Sequence, residues 1–287
     1  MKILLLCSGG DAPGMNSFIY SFLNKNRSHQ IYGAIAGFKG LINGDFVKLD
    51  KKQAKKHKNN AGAYIKTSRC PEFKTKKGVQ KAVENITKNG FDCLVVLGGD
   101  GSYKGCKELV QNNINVIFVP TTIDRDLNYD TYSIGFLTAV FACCEHILKV
   151  MNSFESLDRT GVFEVMGRHN SSICNLVSEI VSADLKITGD NVETYDLSVL
   201  NTQKKSQIIV VQENLLDLNE FALKIQNQIG SETRTSIIGY IQRGYDPLKE
   251  EQNICNIFAS MATKLIKQKQ YNVAISLNEN YIQTLPF

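Results

Sequence analysis

Short apolar runs of strand length, each closed by glycine, proline or a polar turn, recur along the chain and constrain its fold more than any other feature. They are Ile3–Cys7, Cys93–Leu97, Val116–Val119, Val162–Val165, Ile208–Val211, Ile237–Ile241 and Val273–Leu277. Longer stretches that can carry helical periodicity, such as Tyr103–Gln111 and Ile254–Lys267, lie between them. Continuous rather than alternating apolar runs suit strands buried on both faces, with the intervening helices as cover. Right-handed crossovers then predict a doubly wound α/β architecture with largely parallel sheets. With 287 residues, 43% of them hydrophobic, the chain has enough material for one large or two intimate domains. No internal repeat or low-complexity linker marks a boundary.

Several function classes drop out early. No apolar run is long enough for a transmembrane helix. The start, Met1 to Cys7, briefly resembles a lipoprotein signal, but its apolar part is too short for a signal-peptide core and reads as a buried first strand. The eight cysteines include no Cys-x-x-Cys pair, and Cys143 and Cys144 sit together on an apolar helical segment, so buried thiols in a reducing cytoplasm are expected. A net charge of +5 is too mild to point to nucleic acid. The lysine-rich run from Lys51 to Lys58 has no interleaved aromatics and reads as a solvated helix face.

Ligands of open α/β sheets bind beyond the carboxyl ends of the strands. The unusual residues of this chain fall there. After the first strand comes "SGGDAPGMN", residues 8–16, in which glycines allow close backbone approach and a following helix directs its positive end at the same point. A tight strand-to-helix turn explains that loop equally well. A second loop repeats the design: "LVVLGGDGSYKG", Leu94 to Gly105, ends a buried strand in Gly98 and Gly99, followed by Asp100, Gly101 and Ser102. Asp100 can cap a helix or help hold a hydrated Mg²⁺. Gly105 lies early in the helix, where glycine costs about 1 kcal/mol against alanine, so close contact with a ligand or another element is expected there. A third strand end reads "PTTIDRD", with Asp124 and Asp126 flanking Arg125. The carboxylates are either helix caps or an active-site pair. Neither glycine loop is a Walker A or a dinucleotide fingerprint, yet the three strand ends together favour a phosphate-handling site. Arg159, Arg168, Arg234 and Arg243 stand near glycines or strand ends, and guanidinium forks suit phosphate oxygens.

At this point the sequence resembles ATP-dependent 6-phosphofructokinases of the bacterial type. The resemblance rests on "SGGDAPGMN", "GFKGL", "SRCPEF", "LGGDGSYKG", "TIDRD", "YSIGFLTA", "FEVMGR", "ETRTSIIGYIQRG" and Pro247, in the family's order from residue 8 to residue 247. It implies two Rossmann-like domains with the phosphofructokinase fold: a larger nucleotide-binding one of residues 1–136 plus 248–270, and a smaller sugar-phosphate one of residues 137–247 plus 271–287. It implies transfer of the ATP γ-phosphoryl group to the 1-hydroxyl of fructose 6-phosphate, with Mg²⁺ as cofactor, as a step of glycolysis.

The resemblance also assigns roles. Asp124 matches the base that deprotonates the sugar hydroxyl, flanked by Thr122, Ile123 and Asp126. Asp100 matches the Mg²⁺ carboxylate, with Asp126 beside it. Gly10, Cys70, Gly99, Gly101, Ser102 and Gly105 match nucleotide-contacting positions. Arg69 and Arg168 match arginines near the transferred phosphate. Met166, Gly167 and Glu213 match sugar contacts, while Arg159, Arg234 and Arg243 match the 6-phosphate site. Arg159 and Arg234 would come from a neighbouring copy, so a homo-oligomer, a tetramer in this family, is implied. No nucleic-acid or membrane partner is expected.

The chain departs from the family at several of these places. Gly101 fits ATP as donor, because a carboxylate there would repel the nucleotide's α-phosphate. Thr121 fits neither the glycine of ATP users nor the lysine of pyrophosphate users. Tyr240 replaces a histidine and cannot carry its charge, so weaker sugar-phosphate binding is expected. Arg125 replaces the usual asparagine. Tyr20 and Asn24 stand where effector arginines are usual and a third such arginine falls near Met151, while Cys70 and Val79 replace an aromatic and an arginine. Loss of regulation by ADP and phosphoenolpyruvate is expected. Loss of the final helical segment usual in the family is also expected after "AISLNENYIQTLPF". A pyrophosphate-dependent phosphofructokinase and a non-catalytic subunit that senses sugar phosphate are the alternatives.

Overall fold

The computed structural model describes residues 1–129, 131–278 and 281–287. The chain divides into two compact units, Met1–Leu137 with Asp246–Phe287, and Thr138–Tyr245. In chain order the elements are β1 (Lys2–Cys7), α1 (Met15–Lys25), β2 (Gln30–Ala34), α2 (Phe38–Asn43), β3 (Phe46–Lys48), α3 (Lys51–His57), α4 (Lys76–Lys88), β4 (Cys93–Gly98), α5 (Asp100–Gln111), β5 (Val116–Thr122) and β6 (Ile134–Gly135). Helix α6 (Phe136–Glu155) carries the chain into the second unit, which contains β7 (Thr160–Val165), α7 (Ser172–Ile180), β8 (Leu185–Ile187), β9 (Ile208–Gln212), α8 (Leu218–Ile229), β10 (Thr233–Ile237) and α9 (Ile241–Gly244). The first unit is completed by α10 (Lys249–Lys267), β11 (Val273–Leu277) and β12 (Ile282–Pro286).

The larger sheet has the order β12-β11-β5-β4-β1-β2-β3, with β6 paired to β5. Its interior pairs are parallel, and only the outermost strands β3 and β12 run antiparallel. The apolar runs explain this. Ile3 to Leu6, Leu94 to Leu97 and Val116 to Val119 are all fully buried, so both faces of each strand are covered. Leu4, Leu6, Leu94, Val96, Val116 and Phe118 pack on one face with Leu41, Ile86 and Leu109. Elsewhere in the first unit, Asn26 donates to the Thr263 hydroxyl at 2.7 Å and ties the end of α1 to α10. The smaller sheet, β10-β7-β9-β8, is entirely parallel. Its core joins Val162, Ile209 and Val211 to Phe221 and Ile225 of α8.

Three details differ from the sequence expectation. Residues 271–287 belong to the larger unit rather than the smaller one, because β11 pairs with β5 and β12 pairs with β11. The apolar run from Ile237 to Ile241 is not a strand. β10 covers Thr233–Ile237, Gly239 adopts φ +56°, and the chain then enters α9. Finally, β5 does not stop at Pro120 but runs on to Thr122. β11 pairs with β5 only at Ile117 and Phe118, and β6 joins at Thr121, so the proline falls between the two stretches and breaks no ladder bond on that side.

Two close approaches seat the site-bearing ends of the larger sheet. Buried Glu251 of α10 accepts the Gly135 N–H at 2.9 Å and holds the β6–α6 junction. Gly37, at φ +67°, lies so close to the end of β1 that a β-carbon there would sit 2.4 Å from the Cys7 carbonyl oxygen. Gly37→Ala therefore meets both a left-handed backbone and a backbone clash, and is expected to cost about 2–3 kcal/mol in urea unfolding. A loss below about 0.5 kcal/mol, the ordinary surface value, would contradict this packing.

Candidate active site

Parallel pairing sets Cys7 opposite Leu97, and Leu97 opposite Val119. β1 and β4 therefore end within one residue of each other, while β5 runs on beyond that level to Thr122. Ser8 N–H donates to the Leu97 carbonyl at 2.9 Å, which ties the first loop to the second strand. The Gly9 N–H and carbonyl are held by the Ser68 carbonyl at 3.3 Å and the Thr67 hydroxyl at 3.0 Å. That contact brings exposed Arg69, the next residue, alongside the loop that contains Gly10. No side chain caps α1, and no acidic residue occupies its first turn.

The second loop packs directly on the first. Ser102, 4% exposed, lies against Gly98, where a β-carbon would sit 2.3 Å from its hydroxyl oxygen. Asp100 is the first residue of α5 rather than its cap, and no side chain caps this helix either. Its carboxylate instead meets Lys104 at 2.6 Å. Asp100 raises the Lys104 pKa, by its hydrogen bond and then its charge, and Asp126 adds to the effect. Gly101 is exposed, and a β-carbon there would meet nothing within 4 Å. Gly105 is different. The Phe38 and Phe73 rings, stacked with centroids 4.1 Å apart, press so closely that a β-carbon would fall 2.9 Å from Phe38. Partly buried Cys70 packs against the same cluster. Packing therefore accounts for this helical glycine.

At the end of β5, Thr122 organises the third loop. Its hydroxyl accepts the Asp124 N–H at 3.1 Å and donates to Asp126 Oδ1 at 3.3 Å, while its carbonyl accepts from Ser133 at 2.7 Å. Asp124 is 5% exposed, with Ile123 buried beside it. Arg125 adopts φ +49° and lays its guanidinium 5.2 Å from the centre of the Phe136 ring. Thr121 turns its hydroxyl onto the Val119 carbonyl at 3.2 Å. A β-carbon on Gly99 would lie 3.6 Å from Asp126 Oδ1, so the second and third loops abut. The helix-cap reading of these carboxylates fails, since the next helix among the described residues begins only at Phe136.

Asp100 and Asp126 offer hard oxygen donors on adjoining loops, a set that suits Mg²⁺. Among the described residues, no three His, Cys, Asp or Glu side chains cluster closely enough to hold a metal by themselves. A cation here therefore needs oxygens from a ligand, as Mg²⁺ bound with phosphates does.

The second unit collects the remaining candidates. Glu232 bridges two arginines: Arg159 donates to it at 2.7 Å, and Arg234 pairs with its other oxygen. These contacts, Arg159 first, hold the Glu232 carboxyl below its ordinary range. Met166, Gly167 and exposed Arg168 form a turn after β7, and Glu213 Oε1 accepts both the Gly167 and Arg168 N–H groups. Arg243 lies on α9 with its Nε buried and without a hydrogen-bond partner among the described residues. Tyr240 is 78% exposed at the start of α9. Thus the nucleotide, metal and base candidates share the first unit, and the sugar-phosphate candidates share the second. Sequence reading missed Lys104, Glu232, Gln212 and Gln242. Lys104 was recognisable as the i+4 partner of Asp100, and Glu232 and Gln242 lie inside a quoted block; Gln212 carried no signal.

Comparison with known proteins matches residues 2–266 to the family described as Phosphofructokinase. The ATP-dependent 6-phosphofructokinase of Shouchella clausii (strain KSM-K16) is 34% identical over 287 residues, covering 97% of this chain and 90% of that protein. ATP-dependent 6-phosphofructokinase 1 of Clostridium perfringens (strain 13 / Type A) is 33% identical, covering 98% and 91%. Among solved structures, phosphofructokinase from Saccharomyces cerevisiae shares the fold with a TM-score of 0.88 at 24% identity; 99% of this chain covers 44% of the yeast chain. A pyrophosphate-dependent phosphofructokinase from Marinobacter aquaeolei gives a TM-score of 0.85 at 16% identity, covering 100% and 83%.

The Thr122 hydroxyl gives a direct test of the third loop. Thr122→Val keeps the shape but leaves the Asp124 N–H without its acceptor, and is expected to cost about 1–3 kcal/mol in chemical denaturation. Stability unchanged within about 0.3 kcal/mol would show that the hydroxyl does not hold the loop.

Proposed function

The chain belongs to the phosphofructokinase family, and on that premise we propose that it transfers the γ-phosphoryl group of ATP to the 1-hydroxyl of fructose 6-phosphate with Asp124 as general base. The observation that carries this reading is the parallel register of β1, β4 and β5 together with the contacts of Gly98 on Ser8 and of Gly99 on Thr122 and Asp126, which bring two glycine loops and the Asp124 loop together.

The nucleotide phosphates lie along the loops containing Gly10 and Gly99–Gly101, where backbone N–H groups and the uncapped starts of α1 and α5 face negative charge. Open space at Gly101 leaves room for the nucleotide. Thr121 supplies no cation to replace nucleotide contacts, and its hydroxyl is turned onto its own strand. Asp100 and Asp126 would hold Mg²⁺, which supplies neutralisation of phosphate charge when bound. Thr122 fixes the backbone of Asp124 and the carboxylate of Asp126, so both carboxylates keep their places relative to the strand end. Asp124 accepts the proton as the sugar oxygen bonds to phosphorus and the bond to the ADP oxygen breaks. Arg69 and Arg168 balance charge on the transferred group. Such a transfer asks a protein for alignment and charge stabilisation above all.

The sugar end is bound by Met166, Gly167 and Glu213, and its 6-phosphate by Arg243 together with Arg159 and Arg234 of a second copy. Two features support a homo-oligomer, taken as a tetramer from the family resemblance. β10 is an open edge strand, and it carries Ile237 at 66% exposure near exposed Tyr240 and Ile241. Arg234 stands on that edge strand, and Arg159, just before β7, is tied to it through Glu232.

Two assays test the reading together. Wild-type protein with fructose 6-phosphate is expected to turn over with Mg-ATP and not with pyrophosphate. Mixing inactive Asp124→Asn subunits with inactive Arg234→Ala subunits, after dissociation and reassembly, is expected to restore activity at composite sites. Turnover with pyrophosphate alone overturns the donor assignment; mixed oligomers with no regained activity overturn the shared site.

A further inference from the structure

Four main-chain groups of the turn Met166–Gly167–Arg168 are held by three side chains from elsewhere in the second unit. The Met166 N–H donates to Gln242 Oε1 at 3.2 Å. The Gly167 and Arg168 N–H groups donate to Glu213 Oε1 at 3.1 and 2.8 Å. The Arg168 carbonyl accepts from Gln212 Nε2 at 2.7 Å. The backbone they hold is unusual. Gly167 has φ +145°, and a β-carbon there would lie 2.6 Å from the Asn170 carbonyl oxygen. Arg168 has φ +52°, a left-handed conformation unfavourable to a residue with a β-carbon.

Both glutamines are buried, Gln242 completely and Gln212 to 3% exposure. Each carboxamide is fixed at its other end as well. Gln242 Nε2 donates to the Gly239 carbonyl at 3.0 Å, and the Cys143 thiol also donates to its Oε1 at 3.1 Å. Gln212 Oε1 accepts the Gly189 N–H at 3.2 Å. Buried amides carry a desolvation cost that apolar residues of the same size avoid, so packing alone gives no reason for them here. Their common feature is that they satisfy the main chain of a turn that no helix or sheet ladder satisfies. Arg168 is the exposed residue of this turn.

We propose that Gln212 and Gln242 are positioning residues that lock this turn in its strained form and thereby aim the Arg168 guanidinium at the transferred phosphate, with Gln212 acting most directly through the Arg168 carbonyl. The inference rests on the reading of Arg168 given above. It extends the working parts of the site to two residues that touch no substrate.

The test is a double-mutant cycle with kcat, KM for fructose 6-phosphate and thermal unfolding measured throughout. Gln212→Met is expected to lower kcat roughly three- to tenfold in the wild-type background, the effect of one lost hydrogen bond. In the Arg168→Ala background the same change is expected to alter kcat by less than about 1.5-fold, since residues that act as a unit are not additive. Gln212→Glu keeps the shape and the acceptor for Gly189, and carries the same comparison where Gln212→Met does not fold. An equal loss in both backgrounds, or a fall in melting temperature with kcat unchanged, overturns the inference while leaving Arg168 in place. An Arg168→Ala enzyme as fast as wild type removes the role of Arg168 and this inference with it.

Discussion

Parallel pairing of β1, β4 and β5 in one register is the constraint on which the rest of the first unit depends. Cys7, Leu97 and Val119 lie side by side, so β1 and β4 end together and β5 carries its own loop a short way beyond them, where Gly99 meets Thr122 and Asp126. A one-residue slip would move a loop by about 3.3 Å and turn every side chain of that strand to the opposite face. Burial on both faces makes such a slip expensive, because each fully buried Leu, Ile or Val contributes about 1.5–3 kcal/mol. The hydrophobic runs therefore set the position of the polar chemistry at their ends.

Around that level the chain divides its small residues between two tasks. Gly37, Gly98 and Gly105 are filled by the protein itself, by the Cys7 carbonyl, Ser102 and the Phe38 ring respectively. Gly101 opens to solvent. The first group brings backbone and helices close together; the second leaves open space. Hydroxyl groups then fix what the glycines leave loose, as Thr122 does for Asp124 and Asp126 and Thr67 does for Gly9. The second unit solves its own problem with larger side chains. Glu213, Gln212 and Gln242 hold a turn, and Glu232 holds two arginines whose charges would otherwise repel.

Much of this was legible in the sequence, and the gaps have physical causes. The long apolar runs announced the interior strands because burial on both faces leaves no polar alternation. The short or mixed strands escaped notice: β3 and β8 have three residues each, and β2 contains a glycine and two polar or amphipathic positions. β12 reads as loop until β11 provides its partner. The run from Ile237 to Ile241 misled because hydrophobicity alone cannot show the turn at Gly239; those side chains are exposed at Ile237 and Ile241. At the site, the carboxylates and glycines stood out because they interrupt apolar strands. Gln212 and Gln242 did not, because an amide that bonds main chain leaves no pattern in neighbouring residues. The relation of Gly105 to Phe38 and Phe73 is likewise a contact across distant segments, and the single-helix view offered only its cost.

Asp124, held at the end of β5, is proposed to take the proton from the attacking sugar hydroxyl. The most direct measurement is the kcat of Asp124→Asn, an isostere that keeps the loop's shape but cannot act as a base, with Mg-ATP and fructose 6-phosphate at saturation. A base at this position requires kcat to fall about 10²–10⁴-fold with both KM values within about threefold of wild type. A variant that retains kcat within about threefold, in a protein that unfolds at the wild-type temperature, would contradict it.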